Sequence, residues 1–288
     1  MMLRLENITK RFADGKRELT VLDGLSLTVE EGDFIAIIGE SGAGKTTLLN
    51  ILGTLIDADG GRYLMDPLTP FRGTEDPLTP FRGNEDPLTE GGSEKLKVKS
   101  EKLCQLRNKE IGFVYQDHRL LPQFTVMENI LLPTLATKKS STEEEKRRAL
   151  ELLEFMGIAA LKDSPVTQLS GGEQTRVAIC RALINQPSIL LADEPTGQLD
   201  AANTQTIATL FQQVNAKLHT TIIMATHSPE MAKAAKKVFQ LKDGKLQTPQ
   251  PFGPSVATEE VAPLGGAAVT SSHCSKDPSR PLGGINSK

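Results

Sequence analysis

Tryptophan is absent from these 288 residues, and tyrosine occurs only twice. There is no basic surplus either, since the formal net charge is -3. A nucleic-acid surface needs clustered Lys and Arg with rings to stack on bases, so these absences argue against one. The three cysteines, Cys104, Cys180 and Cys274, are scattered and lack metal-ligand spacing. That excludes a disulfide framework, fits a reducing compartment, and leaves them as core or surface fillers. No apolar run approaches the roughly 20 residues of a membrane span, and Met1-Met2-Leu3-Arg4-Leu5-Glu6 has no signal-peptide core. The expectation is a cytoplasmic protein that reaches a membrane only through a partner. With 38% hydrophobic and 24% charged residues, the chain has the means to bury one sizeable core.

What is present is a short apolar run ending in glycines. Phe34-Ile35-Ala36-Ile37-Ile38 reads as a buried strand. Gly39-Glu40-Ser41-Gly42-Ala43-Gly44-Lys45-Thr46 follows it, then a helical pattern through Thr47, Leu48, Leu49, Ile51 and Leu52. This is a phosphate-binding loop between its expected strand and helix. Glycines let backbone N–H groups curl inward round phosphates, and the helix beginning near Lys45 adds the positive end of its dipole. Lys45 supplies a point charge for the terminal phosphates, and the Thr46 hydroxyl is a ligand for Mg2+.

Before the loop, Leu3, Leu5 and Ile8 are spaced for a strand, and Val21, Leu22, Leu25, Leu27 and Val29 for another. Phe12 is the lone ring there, placed either to stack on adenine or to fill a core. Gly60 to Met65 reads as a turn and an edge strand. Asp66 to Glu75 is then nearly repeated as Asp76 to Glu85, with a partial third copy at Asp86-Pro87-Leu88-Thr89. Paired prolines exclude helix and central strand, and so few copies fall short of a solenoid. The insert, about 66–99, is expected to be an exposed loop; the sharper alternative is a docking motif repeated for avidity.

Helical spacing resumes at Leu103, Leu106 and Arg107. Ile111 to Tyr115 is a predicted strand ending at Gln116, and Asp117 to Pro122 a loop. A helix is predicted from Val126. Another is opened by the capping box Thr142-Glu143-Glu144-Glu145, carries Leu150, Leu153 and Phe155 on its apolar face, and ends at Gly157. Ser170-Gly171-Gly172-Glu173 has two readings: a plain capping box, or glycines that bare helix N–H groups to an anion. Ile189 to Glu194 is an apolar strand delivering two carboxylates. Asp193 is suited to hold Mg2+, commonly through water, and Glu194 to orient or deprotonate an attacking water. Thr221 to Thr226 then stops at His227, so three strands bring polar groups to where an open α/β sheet binds its ligand.

Gly39 to Thr46, Gln116, Leu169 to Gln174, Ile189 to Glu194, Gly197-Gln198-Leu199-Asp200 and His227 resemble the Walker A, Q-loop, signature, Walker B, D-loop and H-loop of an ABC-transporter ATPase subunit, in the family's order. The resemblance covers about residues 1–246, and its Leu-Ser-Gly-Gly element is hardly used elsewhere. It implies an α/β fold, a P-loop core of ABC type with an N-terminal antiparallel β region and a helical subdomain at about 117–186. ATP and Mg2+ are the implied ligands. Phe12, Gly39, Glu40, Ser41, Gly42, Ala43, Gly44, Lys45, Thr46 and Thr47 are implied to bind nucleotide, with Ser170, Gly171 and Gly172 binding that of a second protomer. Thr46, Gln116 and Asp193 are implied at the metal, and Glu194, His227 and Gln116 in catalysis. The implied assembly is a homodimer at the cytoplasmic face of the inner membrane, held by integral permease subunits. Deleting Asp66 to Glu85 is expected to spare it, and substitutions at Leu120 and Leu121 to uncouple it.

Tyr115 to Pro122 and Leu191 to Gly197 are similar to the lipoprotein-releasing branch, whose near relatives are macrolide-export and cell-division ATPases. Gln198 departs from the Asn usual there and Thr175 from the usual Gln, and the insert and the Pro-, Gly- and Ser-rich tail at 247–288 have no counterpart. That composition predicts a disordered tail. A DNA-repair ABC ATPase needs a long coiled-coil insertion and a ribosomal ABC factor two tandem nucleotide units, and this chain has neither. A module that binds ATP without turnover is opposed by the presence of Glu194 and His227.

Overall fold

Phe34–Ile38 is apolar throughout because both of its faces are covered, as befits a strand inside a parallel sheet. The computed structural model describes residues 2–14, 17–65, 101, 103–136 and 138–247. The strands are β1 (Leu3–Asp14), β2 (Arg17–Val29), β3 (Phe34–Ile38), β4 (Gly60–Met65), β5 (Ile111–Val114), β6 (Ile189–Asp193), β7 (Thr221–Thr226), β8 (Lys237–Lys242) and β9 (Lys245–Gln247). The α-helices are α1 (Lys45–Leu52), α2 (103–110), α3 (Val126–Leu131), α4 (Glu143–Phe155), α5 (Gly171–Leu183), α6 (Ala201–Leu218) and α7 (Pro229–Ala234). The chain divides into two units, Met1–Gly253 and Pro254–Lys288, and every described residue belongs to the first. The insert expected at about 66–99 and the tail expected at 247–288, apart from Gln247 at the end of β9, lie outside the described residues.

Among the described residues two sheets carry the fold. One has the order β2-β1-β4 and is antiparallel; the other has the order β5-β6-β7-β3-β8-β9 and is parallel except for β9. Alternation sorts the large sheet's side chains into two cores. Phe34, Ala36, Leu190, Ala192, Ile222 and Met224 join a cluster with residues of α3 to α7. Ile35, Ile37, Ile189, Leu191, Ile223 and Ala225 join a second with β1, β2 and α1. Strands β6, β7 and β3 are adjacent, so their C-terminal ends, each followed by a predicted site residue, lie side by side.

The capping boxes at Thr142–Glu145 and Ser170–Glu173 are both present, and Gly157, with φ 70°, follows the end of α4. The apolar face of α4 differs from expectation. Ala149, Leu152 and Leu153 are buried, whereas Leu150 is 36% exposed. Each residue turns a helix by about 100°, so a stripe centred on 149, 152 and 153 leaves position 150 at its edge.

Asn215 on α6 locks the N-terminal ends of β3 and β7. Its buried Nδ2 donates to the carbonyls of Gly32 (3.1 Å), Asp33 (3.4 Å) and Thr220 (2.9 Å). Asn215→Leu removes this shared donor; the Asp33 carbonyl keeps the Ile222 N–H (2.8 Å) and the Gly32 carbonyl keeps Lys236 Nζ (3.1 Å). With the buried Thr220 carbonyl losing its bond, the change is expected to destabilise the protein by about 1–3 kcal/mol. A lower urea midpoint at unchanged slope is the readout; an unchanged midpoint would show the lock to be dispensable.

Candidate functional site

The phosphate loop closes on backbone conformations that only glycine takes easily. Gly44, the N-cap of α1, has φ 100°, and a Cβ there would stand 2.8 Å from Val21 Cγ1. A Cβ on Gly39 would stand 2.6 Å from the Leu241 carbonyl oxygen on β8. The loop is therefore drawn tight between β2 and β8, with the N-terminus of α1 aimed across it.

A cleft of about 700 Å3 opens over this loop, lined by Gly39, Glu40, Ser41, Gly42, Gly44, Lys45, Thr46 and Thr47 from the loop and α1, by Phe12 and Val21 from the antiparallel sheet, and by Gln116, Glu194 and His227. Lys45 is buried, and its Nζ donates to the carbonyls of Gly39 (2.8 Å) and Glu40 (3.1 Å) and stands 3.5 Å from Glu194 Oε1. The other carboxylate oxygen of Glu194 meets His227 Nδ1 at 2.6 Å and accepts from the His227 backbone N–H at 3.2 Å. One carboxylate thus bridges the phosphate-loop lysine and the residue after β7. Glu194 has φ 47°, an uncommon conformation for a non-glycine residue, and its N–H donates to the Ala225 carbonyl at 2.9 Å. A backbone cost of order 1–3 kcal/mol is accepted here.

Asp193, the last residue of β6, is buried and accepts a hydrogen bond from Thr46 Oγ1 at 3.2 Å. Burial pushes its carboxyl above the usual range; the Thr46 bond opposes this, the neighbouring Glu194 charge adds to it, and Lys45 opposes it. Phe12 is 43% exposed, with Lys10 Nζ 5.3 Å from its ring centroid. That exposure, beside the cleft, sets it apart from a core phenylalanine.

Most of the residues singled out in the sequence come together in this cleft, but not all. Ala43 is not among the lining residues, and Asp193 reaches the site through Thr46. Ser170, Gly171 and Gly172 do not line it. They begin α5, where Ser170 Oγ accepts from the Glu173 N–H at 3.4 Å and Glu173 Oε2 accepts from the Ser170 N–H at 2.8 Å. The capping box exists, and Ser170 and Gly171 are exposed while Gly172 is buried. A Cβ on Gly171 would lie 3.0 Å from Leu199 Cδ2, so the glycine also lets the segment around Asp200 approach. Val21 was missed as a lining residue. It reads as one apolar position among several in β2, and only the closeness of Gly44 reveals its place.

The sequence pattern of the ABC transporter family matches residues 22–197. The chain belongs to the ABC transporter family. This ABC ATPase is 38% identical over 246 residues to the lipoprotein-releasing system ATP-binding protein LolD of Bacteroides thetaiotaomicron, covering 85% of the chain and 99% of LolD. It is also 38% identical over 247 residues to the macrolide export ATP-binding/permease protein MacB of Syntrophobacter fumaroxidans, covering 85% of the chain but 31% of MacB. Its fold is similar to the dimeric post-hydrolysis state of the ATP-binding cassette MJ0796 bound to ADP and Pi, with TM-score 0.70, 32% identity, and coverage of 88% of this chain and 99% of that one. Among the described residues no helix is long and apolar enough to cross a membrane.

Proposed function

We propose that this ABC ATPase hydrolyses ATP as a homodimer at the cytoplasmic face of the inner membrane and drives permease subunits that release lipoproteins. The observation that carries the chemistry is the bridge of Glu194 between Lys45 and His227 at the mouth of the phosphate loop. Lys45 leaves its internal carbonyl partners for the terminal phosphates. Glu194 takes a proton from the attacking water, His227 orients that carboxylate, and Gln116 reaches the same cleft from the end of β5. Thr46 and Asp193 offer hard oxygens 3.2 Å apart, a donor set that suits Mg2+ held by a single carboxylate together with phosphate oxygens and water. With Gln116 they would hold the ion, which supplies charge neutralisation at the phosphates.

Because Ser170 to Gly172 stand outside their own chain's cleft and Ser170 and Gly171 are exposed, a second protomer's nucleotide is their natural ligand. The dimeric state of MJ0796 supports that assembly. For lipoprotein release, support comes from a match spanning 99% of LolD's length. Macrolide-type export is the second reading, favoured by equal identity to the MacB cassette.

Partner docking falls to the loop that follows Gln116. Leu120 packs against the core, whereas Leu121 is 37% exposed, so the two leucines flagged in the sequence separate. Leu121→Glu is expected to leave ATPase activity of the purified subunit intact while abolishing co-purification with membrane subunits from the same genome. Retained co-purification would move docking elsewhere. Reconstitution of the captured complex then separates the two transport readings: ATP-dependent release of an acylated protein supports the first, and macrolide export without such release replaces it.

A further inference from the structure

Thr175 was noted in the sequence only as a departure from the usual Gln, yet in the fold it is fully buried with one hydroxyl facing three segments. Thr175 Oγ1 donates to the Gly171 carbonyl at 3.0 Å, lies 3.5 Å from the Pro195 carbonyl, and stands 2.8 Å from His118 Nε2. Gly171 belongs to the start of α5, Pro195 directly follows Glu194, and His118 is in the loop after Gln116. A hydroxyl carries one proton. With that proton directed at the carbonyls, the remaining partner has to donate, so His118 presents Nε2–H to Thr175.

The loop end of this link is held under strain. His118 and Arg119 are consecutive non-glycine residues with φ 57° and 45°. Arg181, further along α5, donates from its two terminal nitrogens to the carbonyls of Arg119 (2.6 Å) and His118 (2.7 Å). Adjacent left-handed residues persist only where their surroundings over-determine them, and both fixings come from α5. The helix itself gains nothing from the hydroxyl, since Thr is a mediocre helix former and a hydroxyl bonded back to residue i−4 slightly weakens a helix. On the other flank, a Cβ on Gly197 would stand 3.3 Å from Gln116 Nε2, so the Gln116 side chain leans on the turn that Pro195 begins.

We infer that Thr175, with His118 and Arg181, is a positioning residue that fastens the loop after Gln116 to the start of α5 and to the turn after Glu194, so that a displacement of the loop carries both with it. The chemistry is untouched by Thr175 directly; the hydroxyl sets where the Ser170 helix start stands relative to Gln116 and Glu194. The inference rests on turnover requiring that helix start, as proposed above.

The test is steady-state ATP turnover and nucleotide binding of the full chain. Thr175→Val keeps the β-branched shape and removes the hydroxyl; it is expected to lower kcat about tenfold while leaving KM and single-protomer ATP affinity unchanged. Thr175→Ser restores the hydroxyl and should recover turnover, a rescue that a purely space-filling role does not predict. His118→Phe should lower kcat alike, and the double variant should be no worse than either single one, because both cut the same link. A kcat for Thr175→Val close to the parent's, failure of Ser to rescue, or additive losses in the double variant would overturn the inference. Should Thr175→Val not fold, His118→Phe alone decides, by losing kcat or keeping it. Ser170→Arg, measured alongside, keeps the two failures apart. Full turnover there sinks the two-protomer site, whereas lost turnover there with full turnover in Thr175→Val sinks the present inference alone.

Discussion

Glu194→Gln is expected to lower ATP turnover by about 100-fold or more and to leave ATP binding intact. The amide matches the carboxylate in shape, so the positive φ of residue 194 and the backbone bond to Ala225 are undisturbed. What disappears is the basic oxygen pair that faces Lys45 at 3.5 Å and His227 at 2.6 Å. Loss of that negative charge also frees Lys45 for phosphate, which favours the bound state. Nucleotide-loaded dimers should therefore accumulate, visible by size-exclusion chromatography with ATP. Near-parental hydrolysis would assign the base elsewhere.

Lys45→Ala should weaken ATP binding about 100-fold, the scale of losing charge-assisted hydrogen bonds, and should do so in single protomers. The lysine is buried at the floor of the cleft, and its removal also leaves Glu194 without a cationic neighbour there. Ser170→Arg is expected to behave differently, because Ser170 does not line its own chain's cleft. It should spare single-protomer binding and block dimerisation and turnover. The same change removes the α5 capping hydroxyl, a loss of about 0.5–2 kcal/mol, so Ser170→Ala serves as the control for the cap alone. Equal binding losses in Lys45→Ala and Ser170→Arg would contradict a signature acting between protomers.

The elements around the phosphate loop were legible because their signals are local. An apolar run with both faces buried, glycines at the turn, and an Asp-Glu pair at a strand end all read off the sequence of Phe34–Thr46 and Ile189–Glu194 without knowledge of the rest. The contacts between them were not. Nothing in the chain order announces that Glu194 joins Lys45 to His227, or that Val21 closes on Gly44, since these depend on β6, β7 and β3 becoming neighbours. Leu150 was misassigned because in a charged helix the side chains that pack are set by the neighbouring elements, and an apolar residue at the stripe's edge looks the same in sequence as one at its centre. Thr175 was read as a mere departure for the same reason. Two of its three partners, His118 and Pro195, lie 57 and 20 residues away in the chain.

The register of the parallel sheet also orders events in time. β3, which leads into the phosphate loop, is flanked by β7 and β8, and neither pairing is local. The first residue of β3 is Phe34 and that of β8 is Lys237; at about 5–20 residues per second, the ribosome adds the intervening stretch in roughly 10–40 seconds. For most of that interval, until β7 begins at Thr221, the phosphate-binding motif exists without either of the strands that flank it, and its apolar run Phe34–Ile38 has neither edge paired. A nascent chain stalled before Thr221 would carry the Gly39–Thr46 motif and the Asp193-Glu194 pair in full, yet have no sheet on which to bring them together.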